Sequence, residues 1–293
     1  MNKKYFFDQF IVVLILGILL AFFGQFLGIP INLIGYHYQD SVPEVNTLCA
    51  YFSTIGSWAL TLLFMLIYKP DRPLIPAIFK GGNNKPKFFL LGLLVGFLLN
   101  GSCILVSVLN KDLAFYPDPS ALWMILLAFI AVLIQSSSEE LLCRHLMQLH
   151  LRRRYHKPWL EILLPSLSFA ALHLLNPGIT VLSVVNLILC GILMSSIVYY
   201  FDSLWMAFGF HTMWNYTQAI IFGLPNSGQV MPLSIFHLDA ASARSSFSYH
   251  VNFGVEGSAM ACLMQALTLG IVIWLGEKRK KAQATPVPES TEQ

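Results

Sequence analysis

Residues 121–157 read ALWMILLAFIAVLIQSSSEELLCRHLMQLHLRRRYHK. The stretch opens as an unbroken apolar run, passes through three serines, two glutamates and an arginine, and ends in a basic cluster. An apolar run followed by Lys and Arg is the pattern of a helix that leaves a membrane on the cytoplasmic side. Glu139, Glu140 and Arg144 then lie within the span. Ionisable groups there are costly, and by default they face the bundle interior and carry function.

The rest of the chain fits the same solvent. Of its 293 residues 56% are hydrophobic and only 11% charged, against roughly 25% charged in soluble domains. Apolar stretches at about 10–28, 46–68, 88–109, 120–150, 158–175, 179–200, 203–223 and 257–275 approach or reach the ~20 residues that cross a ~30 Å hydrocarbon core. The expected fold is all-α, a multi-pass transmembrane bundle of about eight spans. The first span follows MNKK and has no small-residue cleavage site behind its apolar core, so it reads as a start-anchor.

Charge placement sets the orientation. Lys3 and Lys4 precede span one, while Lys69, Arg72, Lys80, Lys85 and Lys87 follow span two. Arg152, Arg153, Arg154 and Lys157 follow span four, and Lys278, Arg279, Lys280 and Lys281 follow span eight. With both termini cytoplasmic these all fall inside, and only Lys111 and Arg244 fall outside. The net charge of +3 therefore tracks a membrane face and calls for no nucleic-acid partner. The five cysteines, Cys49, Cys103, Cys143, Cys190 and Cys262, sit in apolar spans without a CxxC pair and read as small buried side chains.

One domain, 1–276, is expected, with no internal repeat and a polar, disordered cytoplasmic tail at 277–293. A short interfacial piece is expected at LIPAIF (74–79) and one long external connection at 224–256. Asp202 reads as the N-cap of span seven, Glu161 as a cap or partner of the 152–154 arginines, and His145 and His150 as interfacial residues without chemistry.

Helical geometry sorts the polar residues. Glu140 and Arg144 are four apart and share a face, so they can pair across one turn. Glu139 is rotated ~100° away and is the spare carboxylate. A buried ion network that only positions helices is the competing reading of this cluster. His173 stands on an otherwise apolar helix one turn after Phe169, and packing or proton relay competes with catalysis there. His211 and Asn215 are four apart and aim at a shared target. Counted from the basic ends, Glu139, His173 and His211 lie about 18, 22 and 12 Å deep. Helix tilt and a short 3₁₀ turn could absorb that spread, giving a common site in the cytoplasmic half or at mid-membrane.

EELLCR (139–144), FAALH (169–173) and HTMWN (211–215) occur in order on three apolar helices. They match EExxxR, FxxxH and HxxxN, and together they resemble the CAAX-protease and bacteriocin-processing family (CPBP, also called Abi) of intramembrane proteases, which includes Rce1-type CAAX endopeptidases. The motif core spans about 120–223. The resemblance implies a peptidase in which Glu139 is the general base for a water nucleophile, helped by His173, with Glu140 and Arg144 holding the base. It implies that His211 and Asn215 stabilise the tetrahedral oxyanion. The expected partners are a membrane-associated peptide or protein substrate and the lipid bilayer of a bacterial plasma membrane. No cofactor is expected. Zinc held by Glu139, His173 and His211 is the alternative, since such a set resembles a His₂Glu site, although no HExxH is present. The competing functions are a non-catalytic immunity or scaffold protein of the same family and a proton-relay transporter, for which the repeated halves are missing.

Overall fold

The computed structural model describes residues 3–284. Helix α1 (Phe10–His37) is followed by α2 (Pro43–Ser53) and α3 (Ile55–Ile67), which meet at Thr54 to make one span. A short helix α4 (Leu74–Lys80) fills the interfacial position expected from LIPAIF, and α5 (Pro86–Leu109) returns across the bundle. Next come α6 (Ile125–Glu140), a π-helical stretch (Leu141–Met147) and α7 (Gln148–Tyr155), which together form the span Leu122–Tyr155. The remaining helices are α8 (Pro158–Leu172), α9 (Val181–Phe201), α10 (Leu204–Asn215) with a second π-helical stretch (Tyr216–Ile221), and α11 (Ala259–Ala284). Proline opens α2, α5 and α8 at the first helical turn, where its missing N–H is not needed.

Among the described residues helices occupy all eight expected spans, and six of them are long and apolar enough to cross a membrane. The two short ones are α8, with 15 residues, and α10, with 12, or about 22 and 18 Å of α-helix. Where polar side chains gather, α8 stops and α10 passes into its π-helical stretch. Irregular backbone at membrane depth is tolerated where it lines a cavity rather than lipid, and these two helices carry His173, His211 and Asn215.

The bundle has two distinct ends. At one, Arg153 donates to Asp8 (2.6 and 2.5 Å) and to Asp71 (2.9 Å), and His150 binds Asp71 at 2.7 Å. Asn83 and Arg279 both donate to the Phe201 carbonyl at this end, and Arg152 meets Glu161 at 2.5 Å. Every basic cluster of the sequence therefore lies at this end, as do the described chain ends. At the other end, β1 (Phe115–Pro117) pairs antiparallel with β2 (Phe236–Leu238), a two-stranded sheet that the sequence reading did not foresee. Asp112 anchors the 224–256 connection there. Burial would raise its pKa, but donation from Ser246, Ser248, Asn110 and Arg244 outweighs that and holds it below the usual aspartate value.

Several expectations are corrected. Ser203, not Asp202, caps α10, accepting from Met206 N at 3.2 Å, whereas Asp202 ends α9 in the left-handed region at φ 51°. His145 and His150 are buried, the former against the Leu74 carbonyl at 2.8 Å. Helix α11 runs through Ala284, so the basic start of the tail is helical, and residues 285–293 lie outside the described residues. All five cysteines are free, with Cys103, Cys143 and Cys190 buried.

Helices associate in lipid through close backbone approach at small residues. Gly92 and Gly96 of α5 face α10, and Gly209 of α10 faces α5. A Cβ at these positions would strike the carbonyl oxygens of Met206, Phe210 and Phe89 respectively. Gly209→Val should therefore push α10 off α5 at a cost of ~1–3 kcal/mol and displace His211. Thermal unfolding of the solubilised protein checks this, and an unchanged midpoint would show that the close approach is dispensable.

Candidate active site

Helix α6 delivers both glutamates to the bundle interior, and the helix then widens into its π-helical stretch, a distortion common at functional sites. The expected pair forms: Arg144 Nη1 donates to Glu140 Oε1 at 3.0 Å, and neither side chain is exposed. The guanidinium also donates to the Gly191 carbonyl at 3.3 Å and stacks over the Phe169 ring at 4.6 Å. Glu140 Oε1 accepts a second bond, from His211 Nδ1 at 2.9 Å. Glu140 thus holds His211, not Glu139. The 71-residue separation kept that contact out of reach of helical periodicity.

Glu139 faces a cavity of about 780 Å³ and keeps 27% of its side chain exposed. Its Oε1 accepts from Gln135 Nε2 at 2.6 Å. Its Oε2 has no hydrogen-bond partner in the protein and points towards His211 Nε2 at 3.9 Å. Two acidic side chains that are sequence neighbours therefore meet opposite environments, one locked and one open.

His173 ends α8 and lines the same cavity. Its Nδ1 lies 2.7 Å from the Phe169 carbonyl, and a carbonyl can only accept, so Nδ1 carries the proton and neutral His173 keeps its lone pair on Nε2. Phe169 contacts three polar groups: besides Arg144 it packs on His173 at 4.7 Å and edge-on to His211 at 5.8 Å. Asn215 Nδ2 donates to Gln135 Oε1 at 3.1 Å and to Ser136 Oγ at 3.3 Å, and Asn215 Oδ1 accepts from Asn226 at 3.1 Å. All six residues named from sequence come together, with Glu139, His173, His211 and Asn215 on the cavity wall and Glu140 and Arg144 behind it.

Three contributors escaped the sequence reading. Gln135 bridges Glu139 and Asn215, and its position one turn before Glu139 was the available signal. Asn226 and Glu256 come from the 224–256 connection, which dips back into the bundle. Glu256 is buried and accepts from Trp214 Nε1 (2.9 Å), Ser227 N (2.6 Å) and Ser227 Oγ (2.8 Å). Nothing in local periodicity marks such a return. A second cavity, of about 630 Å³ beside α3, α6 and α10, is lined by apolar and aromatic side chains and Ser137 and offers no titratable group. Among the described residues no three His, Cys, Asp or Glu side chains are gathered to hold one metal ion.

Residues 120–217 match the family described as type II CAAX prenyl endopeptidase Rce1-like. The segment is an Rce1-like domain. It contains α6 to α10 through Asn215, and so all three motifs. No curated protein and no solved structure matches the chain. Residues 120–217 thus carry the likeness to CAAX-type proteases, and the six long apolar helices point to a membrane protein.

Proposed function

We propose that this Rce1-like protein is an intramembrane endopeptidase that hydrolyses a peptide bond in a membrane-associated peptide or protein, using water activated by Glu139. A bacterial plasma membrane is the setting we assign it. The observation that carries the reading is the contrast between the glutamates: Glu140 is fully buried with its Oε1 shared by Arg144 and His211, while Glu139 lines the cavity, keeps part of its side chain exposed and bonds within the protein only through Gln135. A general base needs an available lone pair within reach of water.

Glu139 takes a proton from a water in the cavity as the water oxygen bonds to the scissile carbonyl carbon. The carbonyl oxygen becomes an oxyanion, to which His211 Nε2–H and Asn215 Nδ2–H donate. A His211 protonated on both nitrogens gives its Nδ1–H to Glu140, whose carboxylate supplies the counter-charge. Glu139 then returns its proton to the departing amine as the C–N bond breaks, leaving a carboxylic acid and an amine, and the acid loses its proton on release to water. His173 Nε2, with its lone pair free, accepts a hydrogen bond from the attacking water. No step requires a metal ion.

Asn215 can donate and accept hydrogen bonds but cannot act as base or nucleophile. Asn215→Ala should lower kcat by ~10²-fold, the lower end of the range for losing one oxyanion donor, because the amide is shared with Gln135 and Ser136 in the resting site. KM should change little. Steady-state rates on a peptide substrate separate the two, and a dominant rise in KM would move Asn215 to substrate binding. The non-catalytic scaffold reading predicts no turnover at all. A chelator that removed activity, with zinc restoring it, would convert Glu139, His173 and His211 into metal ligands.

A further inference from the structure

A file of side-chain amides runs into Glu139. Asn226 Nδ2 donates to Asn215 Oδ1 at 3.1 Å, Asn215 Nδ2 donates to Gln135 Oε1 at 3.1 Å, and Gln135 Nε2 donates to Glu139 Oε1 at 2.6 Å. The three amides come from the 224–256 connection, α10 and α6. Their direction follows from the group at the end. An amide can be turned either way, but an ionised carboxylate accepts and never donates. Glu139 therefore draws the Gln135 N–H towards itself, which turns the Gln135 oxygen to Asn215 and the Asn215 oxygen to Asn226. Every link donates towards Glu139, and bonds aligned head to tail polarise one another.

Gln135 is the link on which the rest depends. It stands four residues before Glu139 on the same face of α6, and among the described residues it makes the one hydrogen bond that Glu139 receives. His211 Nε2, at 3.9 Å, is beyond hydrogen-bond reach. The plane of the Glu139 carboxylate is therefore set by Gln135. Ser136 protects that hold. Its Oγ donates to Gln135 Oε1 at 3.2 Å and lies 3.3 Å from Asn215 Nδ2. Gln135 Oε1 thus has two donors for its two lone pairs. When Asn215 turns a hydrogen to a developing oxyanion, the Ser136 hydroxyl keeps the Gln135 oxygen satisfied, and Gln135 need not move.

We propose that Gln135 is a positioning residue of the reaction. It sets the plane of the Glu139 carboxylate, and through Asn215 and Asn226 it ties that plane to the oxyanion donor and to the 224–256 connection. The role in the reaction rests on the peptidase reading above; the chain of amides does not. Two variants of the full chain in lipid nanodiscs test the role, with one cleaved member of a randomised decapeptide pool, resynthesised, as substrate. Gln135→Met keeps nearly the same volume but donates nothing. It should lower kcat by ~10–10²-fold, the cost of a misplaced catalytic group, with KM little changed, and thermal unfolding of the same sample separates this from loss of fold. Gln135→Glu can donate to Glu139 only while it keeps its own proton, and without it two like charges meet. Its rate relative to wild type should therefore rise ~10-fold as the pH falls from about 8 to about 6. The neighbouring titratable groups, His173, His211, Glu256 and the Glu140–Arg144 pair, are common to both proteins and cancel in that ratio. A Gln135→Met kcat within about threefold of wild type, a dominant rise in KM, or a Gln135→Glu ratio that is flat with pH overturns the positioning role. The chain of amides is read without turnover. With ¹⁵N-labelled glutamine, the Gln135 side-chain resonance, identified by its absence in Gln135→Met, should shift in both Glu139→Gln and Asn226→Ala. A resonance that either change leaves unmoved overturns the chain. A wild type that cleaves no peptide of the pool overturns the peptidase reading, and the resonance still decides whether Gln135 is tied to Glu139 and Asn226.

Discussion

Glu139→Gln should remove peptide cleavage by ~10²–10⁴-fold, the contribution of a positioned general base, while leaving the protein inserted and folded. The change is nearly isosteric, and the new amide oxygen can still accept from Gln135 Nε2, the one hydrogen bond Glu139 makes within the protein. What is lost is the ability of a carboxylate on the cavity wall to take a proton from water. Stability should therefore move little: the side chain sits on a cavity wall with no ion pair at full contact distance, its nearest cationic partner being His211 at 3.9 Å. Initial rates and thermal unfolding on the same preparation check both halves. A Glu139→Gln enzyme within threefold of wild type would falsify the general-base assignment. A variant that unfolds would instead make Glu139 a structural residue, which its partial exposure argues against.

Much of this arrangement was legible in the sequence because it depends on short range. The Glu140–Arg144 pair is an i,i+4 contact on one helix, so periodicity alone could propose it and leave Glu139 as the spare group. The two ends of the bundle were legible for a different reason: the cost of moving Lys and Arg across a bilayer writes itself into the loops, and Lys69, Arg153 and Arg279 do fall together. What escaped depends on geometry with no local signature. The π-helical stretches after Glu140 and Asn215 change the helix without changing its composition. The early end of α8 was hidden because Leu174 and Leu175 are apolar enough to continue a span. The inward turn of the 224–256 connection is held by Glu256 and Asn226, whose partners Trp214 and Asn215 are distant in sequence. Depth counted along ideal helices put the site in the basic half or at mid-membrane. The cavity these residues share is also lined by Asn32, Leu175 and Gln229, because which part of a buried residue's surroundings is hollow is decided by packing.

Glu140→Ala should be the most destabilising single change at the site, at ~3–5 kcal/mol. Arg144 is fully buried, its Nε already lacks a partner, and without Glu140 its guanidinium would keep only the Gly191 carbonyl and the Phe169 face. A buried cation so stranded has no water to fall back on. If that uncompensated charge is the cause, removing it should help: Glu140→Met combined with Arg144→Met should unfold at a higher temperature than Glu140→Ala, since replacing a buried pair by apolar groups of similar volume is often neutral or stabilising. Activity should not return with stability. The double variant leaves His211 Nδ1 without its carboxylate, and a buried carboxylate that fixes the tautomer and direction of a catalytic imidazole is worth ~10² or more in rate. Thermal unfolding and initial rates on Glu140→Ala and the double variant separate the two jobs of Glu140. Recovery of stability alone assigns it both a charge to neutralise and an imidazole to aim. Recovery of both would reduce it to the partner of Arg144, and the 2.9 Å contact with His211 would then be incidental to the chemistry.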